Sequence, residues 1–102
     1  MSEPSRYWLV LTHPVVPWEQ ILPRIGEHTD YLNALAERGQ ALASGPFLDD
    51  GKPRGEGMTI LRAADEGQAR ALAYADPLVR DGLRRVDVQL WQINQIDPSI
   101  RL

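Results

Sequence analysis

The sequence predicts an α+β domain with element order strand, helix, strand, strand, helix, strand: the ferredoxin-like split βαβ arrangement, with a four-stranded antiparallel sheet and both helices on one face. Three observations carry that prediction. Apolar residues alternate with a period of two in the first and last apolar runs, they recur at helical spacing between residues 25 and 38, and a stretch dense in Asp, Gly and Pro separates two middle runs as a hairpin loop would. With 102 residues, the chain fits one domain, spanning 1–102, near the small end of what can bury a core.

The first strand is the aromatic and β-branched run 6–12 (RYWLVLT), closed by His13-Pro14. The main helix is expected over 23–38: Pro23 suits a first turn, where its missing N–H costs nothing, and Gly39 suits the C-terminal stop. A second strand over 40–47 (QALASGPF) leads into turn chemistry at 49–55 (DDGKPRG) and a third strand at 57–63 (GMTILRA). Asp65 with Gln68 three residues later forms a capping pair for a helix over 66–75, and the last strand runs over 83–96.

Both faces of the sheet read as apolar. Tyr7, Leu9 and Leu11 oppose Trp8 and Val10, and Val86, Val88 and Leu90 oppose Trp91 and Ile93. Two helices cover one face only, so the set Trp8, Val10, Trp91 and Ile93 or its opposite needs another cover. The expectation is a two-fold homodimer joined sheet to sheet.

Fourteen acidic residues against eleven basic give a net charge of −3, and the basic residues are scattered apart from the pair Arg84-Arg85. This excludes the basic stripe that binding a phosphate backbone requires, so no nucleic-acid partner is expected. The absence of cysteine excludes disulfides, zinc ribbons, iron–sulfur clusters and thiol nucleophiles. Residues 1–5 (MSEPS) carry no basic, apolar leader and no run reaches membrane-spanning length, so the expectation is a cytoplasmic protein with no membrane partner.

His28 occupies a position where the helical stripe of Ile25, Leu32 and Leu35 calls for an apolar residue. An inward imidazole is either a core residue satisfied by a neighbour or, at the floor of a pocket, a general acid or base. Asp76 extends the inward stripe of Leu72 and Ala73 on the second helix, which brings it into the layer that holds His28 and lets its carboxylate fix one imidazole tautomer. Asp76-Pro77 is equally an N-cap followed by proline at the first helical position, and one carboxylate with two oxygens can serve both roles.

Ser44-Gly45-Pro46 ends the second strand with a hydroxyl and a bare backbone, either as a binding wall or as turn chemistry. It does not fit the nucleophile elbow of a serine hydrolase. His13, in phase with Tyr7, Leu9 and Leu11, is a secondary candidate for ligand contact, against the alternative of an exposed strand end. Neither H-x-x-x-H spacing nor a glycine pattern for phosphates or dinucleotides occurs, so no metal and no cofactor is expected.

These residues resemble the YciI-like (YCII-related) family: His28-Thr29-Asp30-Tyr31-Leu32, Gly39, Ser44-Gly45-Pro46, and Ala75-Asp76-Pro77-Leu78-Val79 before Gly82-Leu83 match its pattern in order and spacing across almost the whole chain. The resemblance implies a dimeric α/β-barrel and a site built on a histidine–aspartate pair, carried here by His28 and Asp76. Residues 15–23, longer than in the shortest members, are expected to form part of a lid. Similar dimers include lactone isomerases, heme-degrading and quinone-forming monooxygenases, and stress-response proteins, so the fold leaves the reaction open. The leading expectation is a cofactor-independent small-molecule enzyme of lyase or isomerase type, with His28 moving a proton on a cyclic or aromatic metabolite and Asp76 orienting the ring. The alternative is a module that binds a small ligand in the same pocket without chemistry.

Overall fold

The computed structural model describes residues 6–102, so the reading of residues 1–5 lies outside it. Strand β1 (Arg6–Pro14) is followed by the short helix α1 (Trp18–Ile21), a 3-10 turn (Leu22–Arg24) and helix α2 (Ile25–Glu37). Then come β2 (Ala41–Asp49), β3 (Lys52–Ala63), α3 (Glu66–Tyr74), the single turn α4 (Pro77–Arg80) and β4 (Arg84–Trp91). The sheet order is β2-β3-β1-β4 with every neighbouring pair antiparallel, which is the ferredoxin-like α+β arrangement read from the sequence.

Local chemistry explains the boundaries. Gly39 at φ 74° ends α2: its N–H donates to Ala36 O and that of Gln40 to Leu35 O, the paired bonds of a left-handed helix stop. Gly82 at φ 80° repeats the device after α4. At the start of α3, Gln68 N–H donates to Asp65 Oδ1 at 2.8 Å and Gln68 Oε1 accepts from Ala64 N–H at 2.8 Å, as the capping pair predicts.

The hairpin loop is shorter than the expected 49–55. Asp50 and Gly51, at φ 50° and 77°, supply the two left-handed residues that a two-residue turn needs, and β3 resumes at Lys52. Pro53 is tolerated because β1 pairs β3 only from Gly57 onward. The last strand is also shorter than expected. Tyr7 is the partner of Trp91, and beyond it only Arg6 of β1 lies among the described residues, too little backbone to pair with residues 92–96.

The pairing register corrects the grouping of faces. Trp8 lies opposite Leu90, Val10 opposite Val88 and Thr12 opposite Val86, whereas Tyr7 lies opposite Trp91. Trp8 and Val10 therefore face the helices, and Trp91 lies on the other side with Tyr7, Leu9 and Leu11. The core is the layer of Trp8, Val10, Leu61, Ala63 and Val86 against Leu35, Ala69, Ala73 and Val79. Trp8 buries its ring there and donates from Nε1 to Ala63 O at 3.1 Å, so its one polar atom is satisfied.

Candidate functional site

Where the sheet continues past this core toward the β2–β3 hairpin, α2 no longer touches it closely. A cavity of about 470 Å³ opens between them, within the size range of small-molecule sites. Its roof is Ile25, His28 and Leu32 of α2 with Trp18 of α1, and its floor includes Thr12, Ser44, Gly45, Pro46, Gly57 and Thr59. Residues 15–23 thus contribute Trp18 to the lining. The walls are mostly apolar, with a few polar groups converging.

The imidazole of His28 is half-buried, and its Nδ1 lies 2.5 Å from Oδ2 of Asp76. An ionised carboxylate can only accept, so Nδ1 donates. In the neutral ring Nε2 then carries the lone pair, and no described residue engages it. Asp76 is 5 % exposed and uses both oxygens: Oδ1 accepts from Leu78 N–H at 3.0 Å, capping α4, while Oδ2 holds His28. The two roles read for Asp76 coexist on one side chain.

Further contacts fix the two helices that carry this pair. Arg24, just before α2, donates to Glu27 at 2.7 Å and to Asp81, just after α4, at 2.5 Å. Hydrogen bonds from Arg80 and Arg24 hold the Asp81 carboxyl well below the usual carboxylate range. Tyr31, one turn beyond His28, donates its hydroxyl to Leu72 O at 2.6 Å and so ties α2 to α3. Burial raises its pKa, and the nearby Asp76 charge adds to the effect.

Ser44, Gly45 and Pro46 all line the cavity, with Ser44 Oγ 2.7 Å from Thr59 Oγ1 across the β2–β3 pair. Gly57 is required where these strands approach, because a Cβ there would lie 2.8 Å from Gly45 O. The structure does not bring His13 to this site. It shares the phase of Leu9 and Leu11, and that phase is the sheet face away from the helices. There its two ring nitrogens meet Glu56 Oε2 at 2.9 Å and Asp87 Oδ2 at 3.0 Å.

Sequence reasoning passed over Arg84, which lines the cavity at the start of β4. Its phase with Val86 and Val88 was the available signal, hidden by the adjacent Arg85 that makes the pair look like a solvated patch. Burial lowers the Arg84 pKa, and the Asp76 charge works against that shift. Among the described residues no group of three or more His, Asp or Glu side chains could hold a metal ion, and no helix is long and apolar enough to cross a membrane. The sequence model of the YCII-related domain matches residues 8–92. No curated protein matches the chain.

Proposed function

The chain belongs to the YCII-related family, and from that premise we propose that it is a small-molecule enzyme of lyase or isomerase type whose general acid–base group is His28. The observation that supports this reading most is the 2.5 Å contact between His28 Nδ1 and Asp76 on the roof of the cavity. Nε2 accepts a proton from a carbon or oxygen of a bound cyclic or aromatic metabolite, and the imidazolium returns it to another atom of the same molecule or to its leaving group. Asp76 orients the ring and balances its charge in the protonated state. The hydroxyls of Ser44, Thr59 and Thr12 supply hydrogen bonds to substrate oxygens, with Gly45 and Pro46 forming the close wall. This chemistry needs no cofactor, and such a group contributes about two to four powers of ten in rate.

The assembly we propose is a homodimer. Tyr7, Leu9, Leu11, Met58 and Ile60 form a half-exposed apolar band on the sheet face that no helix covers, extended by Trp91. A second copy of the chain fits that band through a two-fold contact.

The reaction class is tested by proton exchange. Lactones, cyclic ketones and phenols are incubated with the protein in deuterated water and followed by proton NMR. The expected result is catalysed loss of one C–H signal, slowed by about two to four powers of ten in His28→Gln while the melting curve shows a folded chain. Exchange at the native rate in His28→Gln would overturn the assignment. A compound that raises the melting temperature yet never exchanges would favour the non-catalytic binding module.

A further inference from the structure

We propose that Arg84 is an anion-recognition residue and that the cavity takes a compact, apolar carboxylic acid in its ionised form, an inference that rests on reading the His28 cavity as the substrate site. Arg84 lines the cavity, yet among the described residues its guanidinium makes no ion pair and no side-chain hydrogen bond, and its Nε is fully buried without a partner. The other arginines near this end of the fold are matched. Arg24 bonds Glu27 and Asp81, and Arg80 bonds Asp81.

Asp76 lies close enough to feel the Arg84 charge, but its two oxygens are committed to Leu78 N–H and to His28. A half-buried cation left in this state costs stability, and the orphaned Nε–H adds the cost of a lost hydrogen bond. A planar carboxylate arriving from the cavity answers the charge. It can accept from the two terminal N–H groups together, the bidentate geometry that favours carboxylate over a neutral oxygen.

The rest of the lining selects the remainder of the ligand. Trp18, Ile25, Leu32, Ala43 and Pro46 offer an apolar surface, with the hydroxyls of Ser44, Thr12 and Thr59 among the neutral polar contacts. Arg84 on β4 and His28 on α2 thus border one cavity from two elements, so an acid held by its carboxylate is presented to the His28 ring by its other end. Arg84 acts as a specificity-determining residue here, outside the proton transfer itself.

The experiment compares benzoate and cinnamate with their primary amides, which match them in shape and lack the charge, on the full chain by titration calorimetry. The native protein is expected to bind each acid about ten- to a hundredfold more tightly than its amide. Arg84→Met, which keeps the bulk, should bind acid and amide alike, and Arg84→Lys should fall between. A merely structural arginine would lower the melting temperature when replaced, whereas Arg84→Met is expected to melt no lower than the native chain because an unpartnered buried donor has been removed. His28→Gln should keep the preference for the acid, so that loss of proton transfer and loss of anion recognition are read separately. Equal affinity for acid and amide, no acid binding at millimolar concentration, or a preference that survives in Arg84→Met would each overturn the proposal. Should Arg84→Met fail to fold, the native comparison and Arg84→Lys decide it.

Discussion

Replacing Asp76 with alanine removes two contacts that no other described side chain supplies. Loss of the Leu78 N–H acceptor takes away the cap of α4, which costs about 1 kcal/mol. Loss of the His28 Nδ1 acceptor leaves a buried donor unmatched, for about a further 1–3 kcal/mol. The expected total, about 2–4 kcal/mol, is a large part of the roughly 5–15 kcal/mol by which small domains are stable. Asp65→Ala is the internal reference, because Asp65 caps α3 through Gln68 N–H and does nothing for a histidine. It should cost about 1 kcal/mol. Asp76→Asn keeps an oxygen for the cap and presents its amide to His28, which can answer by changing tautomer, so less than about 1 kcal/mol is expected. Urea unfolding followed by circular dichroism measures all three, with unchanged slopes confirming a common unfolded state. If Asp76→Ala costs no more than Asp65→Ala, the carboxylate is a cap alone and the coupling to His28 is refuted.

Gly57→Ala forces a Cβ to within 2.8 Å of Gly45 O, where backbone must move, and should destabilise by about 1–3 kcal/mol in the same assay while Gly26→Ala, with nothing within 4 Å, should not. Light scattering at micromolar concentration should give the native chain about twice its 11.5 kDa, and Leu11→Asp should halve that mass without loss of fold. Val10→Asp, by contrast, should unfold the chain, because Val10 lies in the core. Asp81, held below the usual carboxylate range by Arg80 and Arg24, contributes stability above the ordinary carboxylate pKa of about 4 and loses it as pH falls toward its lower folded value. The melting temperature should therefore drop less steeply in Asp81→Asn than in the native chain between about pH 5 and about pH 3.

The element order was legible because each boundary carries its own chemistry: Gly39 stops α2, Asp65 and Gln68 start α3, and Asp50-Gly51 turns the hairpin. Lys52 to Gly55 form strand where the sequence suggests loop, because Pro53 and Gly55 are loop residues by composition, while the fact that only β2 flanks that end of β3 is a property of the whole sheet. Alternation showed that each strand has two faces but not which face meets the helices. Register decided that, moving Trp91 away from Trp8 and carrying His13 to the far side of the sheet. His28 and Asp76 were legible for the opposite reason. Helical spacing fixes the direction of His28 within α2, whereas Asp76 lies past the end of α3 and not on its stripe; it is the N-cap geometry of Asp76 that leaves an oxygen pointing toward the layer that α2 shares. Arg84 was missed because its environment is made by residues distant in sequence, among them His28 and Thr59.

Asp76 meets His28 at Nδ1, no described residue engages Nε2, and His28 lines the cavity. Nitrogen-15 NMR of the histidine side chains reads this directly, since protonated and lone-pair-bearing ring nitrogens resonate far apart. At a pH where the ring is neutral, the native chain should show His28 with the proton on Nδ1 and the lone pair on Nε2, and Asp76→Asn should reverse the two. A native His28 that carries its proton on Nε2, or a tautomer that ignores the change at Asp76, would contradict the coupling of Asp76 to the His28 ring.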